Sequence, residues 1–294
     1  MNTDNSKQNM QFDQLIQGLT MDAKVRYLLV DFKDVLQQAI QKHGLNKGST
    51  HYLAQTMAAG LLLSSQIKGD ERLSLQLEST DPSCRIICDI NADGGVRAKI
   101  TPAKMSSARN AYTLDGFFVT IKHNQSQELY RGTTEIRQDT IAGALEHHLN
   151  QSSQLHCMVR IETQFDDQGQ VIDAKGLLLE KYPESSENPS ATPEEFAISY
   201  KDLATMTSET FLTGCSQQEL CSFGMFPLES KDISWSCGCS EERITTMLSS
   251  LGPEELVGMI EELGEIEVVC EFCSTRYVRN KEDIDQLIEQ ISYI

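Results

Sequence analysis

CRIICDINADGGVRAKI, residues 84–100, reads as two strands folded about a turn. In residues 84–90 and 96–100 apolar and polar side chains alternate, the period of a strand with one face on a core. Between them Asn91-Ala92-Asp93-Gly94-Gly95 supplies the positive φ that a tight hairpin needs, and the alternation on both sides sets the register. An antiparallel sheet is therefore expected at the centre of the amino-terminal part.

Working outward, residues 72–77 (RLSLQL) and 117–122 add strands, and residues 155–165 pair with 171–179 across Asp166-Asp167-Gln168-Gly169. Residues 25–32 (VRYLLVDF) are β-branched and aromatic enough for a further strand, followed by a helix over 34–43 that Gly44 closes. A second helix over 50–63 carries Ala54, Ala58, Ala59 and Gly60, small residues that let it lie close against a sheet. Asp139 is expected to cap a third helix running to about residue 150. The class is α+β: a mostly antiparallel sheet with covering helices over residues 1–180.

No catalytic constellation emerges in that part. His147 and His148 fall late in a helix, where a cation meets the negative end of the dipole. Cys84 and Cys88 share a strand face but stand roughly 13 Å apart, too far to bridge, and read with Cys157 as core residues. There is no nucleophile elbow, phosphate loop or dinucleotide fingerprint.

The texture changes at Lys181. Residues 182–190 (YPESSENPS) form a polar, proline-marked linker, and Thr192-Pro193-Glu194-Glu195 starts a helix with Phe196, Tyr200 and Leu203 on one side. Ser216-Gln217-Gln218-Glu219 resembles a capping box, with Phe223, Met225, Phe226 and Leu228 after it. Residues 181–235 thus read as a helical linker, either metastable unless docked on the rest of the protein or a routine packed helix pair. Cys215 and Cys221 lie within it, and no role is assigned to them.

Residues 236–294 carry the chemistry. Cys237-Gly238-Cys239 is followed, after 30 residues, by Cys270-Glu271-Phe272-Cys273. Each pair can turn two sulfurs to one point, and two pairs make the tetrahedral thiolate shell that Zn²⁺ takes. The same spacing suits disulfide chemistry. A structural zinc, a redox couple or both are compatible with these four residues. Around them, Ser240 caps a helix over 241–250, a second runs over 253–263 and ends at Gly264, strands cover 265–269 and 275–278, and Asn280 caps a last helix. With few large apolar residues, about sixty residues are poor material for an unaided core, and a metal is the expected staple.

The chain has 294 residues, enough for about two domains, and a net charge of −18. From Lys181 onward 7 Lys and Arg stand against 22 Asp and Glu, so most of the acidity lies there. A zinc module that grips nucleic acid needs a basic stripe, so nucleic acid is disfavoured as a direct ligand. The polar amino terminus lacks the layout of a secretory signal, and the longest apolar run, near residues 58–63, is too short to span a bilayer. A cytoplasmic, non-membrane protein is expected, in which clustered thiols among the nine cysteines are metal-binding or redox-active.

If four thiolates bind zinc, the bonds that hold this module are also its most oxidisable groups. Structural zinc contributes on the order of 10–16 kcal/mol to small zinc modules, and disulfide formation removes the ligands and that contribution together. The module should then unfold, and the linker helices that it supports should expose apolar surface.

Several stretches also carry a resemblance: residues 54–77 (AQTMAAGLLLSSQIKGDERLSLQL), 91–97 (NADGGVR), 237–244 (CGCSEERI), 251–260 (LGPEELVGMI) and 268–278 (VVCEFCSTRYV). By these the chain resembles, over nearly its whole length, the 33 kDa chaperonin (heat shock protein 33) family, redox-regulated holdase chaperones of the bacterial cytoplasm. The resemblance implies that Cys237, Cys239, Cys270 and Cys273 bind one Zn²⁺ per chain in the reduced, inactive state. It implies Cys237–Cys239 and Cys270–Cys273 disulfides on oxidation, with zinc released, the linker unfolded, and an oxidised homodimer holding unfolding client proteins without ATP and without catalysis. Ser274 departs from the pattern, standing where the knuckle usually has glycine. A thiol oxidoreductase and a static zinc adaptor are the competing readings.

Overall fold

The computed structural model describes residues 13–20, 25–105, 112–153, 157–181, 211–212 and 225–292. The chain divides into two compact units, Met1–Trp235 and Ser236–Ile294. The larger unit is built in the order β1 (Gln14–Thr20), β2 (Val25–Asp31), α1 (Lys33–His43), α2 (Lys47–Leu63), β3 (Arg72–Asp81), β4 (Ser83–Asn91), β5 (Gly95–Thr101), β6 (Leu114–His123) and β7 (Glu128–Asp139). It continues with α3 (Ile141–Ser153), β8 (Cys157–Phe165), β9 (Val171–Lys181), β10 (Met225–Asp232) and β11 (Ser234–Trp235). No helix among the described residues is long and apolar enough to cross a membrane.

The strands form two sheets where the sequence suggested one. The first runs β10-β1-β2-β9-β8 and the second β11-β5-β4-β3-β6-β7. Every pairing is antiparallel except the short one of β11 with β5. The hairpin forms in the expected register, with Ile90 opposite Val96 and Asp89 opposite Arg97, and the Arg97 guanidinium reaches Asp89 Oδ2 at 2.8 Å.

Helix α2 touches strands of both sheets. All its residues but Lys47 and His51 are buried, which is why it shows no polar face. Its small residues serve close approach: a Cβ on Gly60 would lie 2.7 Å from Ile90 Cδ1. The helix starts earlier than residue 50, because the Asn46 side chain accepts the Ser49 N–H and Ser49 returns the bond. In α3 the cap is Thr140, whose Oγ1 accepts the Gly143 N–H, while Asp139 ends β7.

Strands β1, β7, β10 and β11 were not legible in the sequence. β7 has only two buried residues and lies at a sheet edge, so no alternation marks it. Residues 225–235, expected within the helical linker, are strands of the larger unit, and Pro227 in β10 is tolerated because β10 is an edge. The rest of the expected linker, with Cys215 and Cys221, lies outside the described residues except Phe211 and Leu212.

The first sheet is apolar on both faces. Leu28 and Val30 of β2 and Leu178 of β9 join the main core around α2. Their neighbours Tyr27, Leu29, Leu177 and Leu179 point the other way and form a second cluster with Phe211, Leu212 and Met225. Residues that follow the 182–210 stretch in sequence therefore cover an apolar sheet face.

Cys84 and Cys88 are buried as expected, and burial pushes the Cys84 thiol up to about 11 and Cys88 well above the usual range. Cys157 is half-buried, and burial with nearby Glu146 and Glu180 pushes it up to about 12. His148 is not a solvated cation at a helix end: it is buried against Phe118, shares a 3.0 Å hydrogen bond with Thr134 Oγ1, and burial lowers its pKa.

The smaller unit contains α4 (Glu241–Ser249), α5 (Pro253–Leu263), β12 (Ile266–Val269), β13 (Arg276–Arg279) and α6 (Lys281–Ser292). Ser240 caps α4 through the Arg243 N–H, and Asn280 exchanges reciprocal bonds with Asp283 at the start of α6. Its core is small: Ile244, Leu248, Leu256, Ile260, Ile266, Tyr277, Ile284 and Leu287.

Candidate metal centre

The four cysteines come from two pieces of backbone with different reasons for their shape. Cys237 and Cys239 lie in the irregular segment before α4, and Cys270 and Cys273 in the turn joining β12 to β13. The β12–β13 pairing, Val269 opposite Arg276, brings the ends of the turn together. Cys270 N–H donates to the Thr275 carbonyl at 2.9 Å, and Ser274 N–H to the Cys270 carbonyl at 2.8 Å. Ser274 closes the turn at φ +58°, the left-handed region that favours glycine.

The sulfurs converge. Cys237 Sγ lies 3.4 Å from Cys239 Sγ and 3.5 Å from Cys270 Sγ, and Cys239 Sγ lies 3.3 Å from Cys273 Sγ. All four fall within 4.8 Å of one another. A tetrahedral ion with sulfur at ~2.3 Å spaces its ligands about 3.8 Å apart, so these separations bracket a zinc shell. All four residues are half-buried free thiols. They form the one group of three or more His, Cys, Asp or Glu ligand atoms that could hold a metal among the described residues.

Electrostatics points the same way. Burial and hydrogen bonds from neighbouring thiols push Cys237 up to about 12, and burial raises Cys239. Cys273, despite burial, is held down to about 6 by the Thr275 hydroxyl and N–H and by the other thiols. Packed this closely, four sulfurs share their protons because like charges repel. A divalent cation is what lets all four ionise together.

Three supporting residues were not legible as part of the site. Arg243, one turn into α4, donates from Nη1 to the Gly238 carbonyl at 2.7 Å, tying the first cysteine pair to a helix. Thr275 Oγ1 lies 3.1 Å from Cys273 Sγ. Tyr277 of β13 hydrogen-bonds Cys239 from within the core. Thr275 and Tyr277 follow the second pair at strand spacing, a usable signal; Arg243 had none.

An α+β body of two antiparallel sheets about a buried helix, joined to a small unit stapled by converging thiols, defines a two-unit protein with a thiolate metal centre. The Hsp33 protein family model matches residues 13–280. Among curated relatives, the 33 kDa chaperonin of Bacillus subtilis is 26% identical over 291 residues, covering 95% of this chain and 99% of that protein. That of Bacillus cereus is 27% identical over 293 residues with the same coverage. The crystal structure of the 33 kDa chaperonin from Thermotoga maritima superposes with a TM-score of 0.81 at 21% identity, covering 97% of this chain and 100% of the other, a likeness of fold. The chain belongs to the Hsp33 family of chaperones.

Proposed function

We propose that the protein is an ATP-independent holdase switched on by oxidation. In the reduced protein one Zn²⁺ per chain, held by Cys237, Cys239, Cys270 and Cys273, keeps residues 236–294 folded. The observation that carries this reading is the convergence of four thiols within 4.8 Å in a unit whose own core is eight side chains. So small a core cannot replace a metal's contribution once the ligands are lost.

Two equivalents of a two-electron oxidant, peroxide or hypochlorous acid, take four electrons from the four thiolates. Two disulfides form, Cys237–Cys239 and Cys270–Cys273, and zinc leaves. The observed separations do not single out this pairing, since Cys237 is as near Cys270 as Cys239; the family resemblance supports it. Loss of the smaller unit's fold then frees residues 181–235. The apolar face formed by Tyr27, Leu29, Leu177 and Leu179, which Phe211, Leu212 and Met225 pack against, becomes available to unfolding clients in the cytoplasm. Oxidised chains pair as homodimers. The protein turns over no substrate.

Titrating oxidant while reading zinc release beside client aggregation tests this. About one zinc per chain should leave as aggregation suppression appears. Retained zinc would favour a static adaptor, full client binding by reduced protein would remove the switch, and turnover of a dithiol substrate would favour an oxidoreductase.

A further inference from the structure

Away from the thiols, a cavity of about 430 Å³ in the larger unit is lined by Gln17 of β1, Arg26 of β2, Ile67 and Lys68 after α2, and Glu229 and Lys231 of β10, among others. In a chain of net charge −18, three cations here face one carboxylate. Arg26 is fixed: Nη1 pairs with Glu180 Oε2 at 3.1 Å and Nη2 donates to Gln17 Oε1 at 3.0 Å. Gln17 Nε2 in turn donates to Glu229, so that polar chain is satisfied internally.

The lysines are not. Glu71 Oε2 accepts the Lys68 N–H and pairs with Lys122 Nζ at 3.0 Å, and its charge acts on the Lys68 ammonium without reaching ion-pair distance. Among the described residues neither Lys68 nor Lys231 has a carboxylate at ion-pair distance. Two ammonium groups on one concave surface repel unless an anion lies between them. The lining holds no aromatic ring to stack a base, and its cations and amide suit a compact oxyanion.

We propose that this cavity binds a phosphate-bearing anion, a pyrophosphate group, which bridges Lys231 on β10 to Lys68 on the body. Because Lys231 and Glu229 leave the cavity when β10 detaches, the anion binds only the docked form. By linkage it opposes release of β10. The regulatory consequence rests on the proposed function, in which residues 181–235 are freed; the binding itself does not.

The test uses reduced, zinc-loaded full-length protein without oxidant or client. Pyrophosphate is titrated by calorimetry, with zinc content monitored, and hydrogen exchange of residues 225–232 is followed. Saturable binding is expected, weakened several-fold in Lys68→Gln and in Lys231→Gln. At ligand tenfold above Kd, exchange from β10 opening should slow about tenfold. ADP as a second ligand separates the sources: binding equal to pyrophosphate assigns a nucleotide's diphosphate, and failure of ADP assigns the free anion. No saturable binding, equal binding in both variants, or equal binding of citrate overturns the site. Binding that leaves β10 exchange unchanged overturns the coupling. A null result would leave the oxidant titration untouched, so the two readings fail separately.

Discussion

The Sγ atoms of Cys239 and Cys273 lie 3.3 Å apart although 34 positions separate them in sequence. Nothing local enforces that contact. It exists because the cap of α4 and the β12–β13 pairing deliver two independent thiol pairs to one point. Removing either sulfur should leave three donors and an uncompensated cluster. Cys239→Ser and Cys273→Ser should each lose zinc to a mild chelator and render residues 236–294 protease-sensitive, while the larger unit stays folded. Metal analysis and limited proteolysis read both outcomes.

Arg243 and Gly238 form one device. A Cβ on Gly238 would lie 2.6 Å from Arg243 Nη1, so Gly238→Ala should displace the guanidinium that Arg243→Ala removes. Each should speed chelator-driven zinc loss by about 10-fold or more, the scale of groups that orient ligands. The double variant should be little worse than either single one, because both break the same bond. Additive effects would refute the link.

Ser274 adopts φ +58° where a side chain is penalised by about 1–2 kcal/mol. Ser274→Gly relieves that penalty at some cost in chain entropy, and a net gain of about 0.5–1 kcal/mol is expected. Denaturant unfolding of zinc-loaded protein should show a higher midpoint for the smaller unit.

Gly18 of β1 pairs opposite Pro227 of β10, where an added Cβ would sit 2.6 Å from Tyr27 Cε1 and approach the Phe226 carbonyl oxygen. Since that neighbour is backbone, the strand itself must move. Gly18→Ala should therefore loosen β10, and the reduced, zinc-bound protein should bind a hydrophobic dye and suppress aggregation without oxidant. A fully folded variant that stays inactive when reduced would separate β10 from client binding.

Asp13 accepts the Asp34 and Val35 N–H groups at 2.9 and 2.6 Å, bonding the start of α1 from the edge of β1. Burial raises its carboxyl to about 7, against the opposing pull of those two bonds. A raised carboxyl pKa means the protonated form favours folding. Its stabilising contribution is complete below about 3.8 and is lost as pH rises through about 7. Asp13→Asn, which keeps an acceptor without charge, should flatten the fall in melting temperature between about pH 4 and 7.

Much of the smaller unit was legible from sequence: Ser240, Gly252-Pro253, Gly264 and Asn280 act through local capping and breaking, and the structure places elements where they point. In the larger unit the hairpin at Asp93-Gly94-Gly95 was legible for the same reason. β10 was not. Its Met225, Phe226 and Leu228 suit a helix face equally well, and it became a strand because β1 offered an unpaired edge.

By itself the sequence determined what depends on neighbours along the chain: the α+β class, the helix ends of the smaller unit, the hairpin and the two thiol pairs. Only the tertiary structure decided that there are two sheets, that α2 lies between them, and that one sheet needs cover on a second face. It also decided which supporting residues surround the sulfurs and which lysines share a cavity. Those outcomes are set by contacts between residues far apart in sequence, whose free energy comes from burial and pairing that no local pattern encodes.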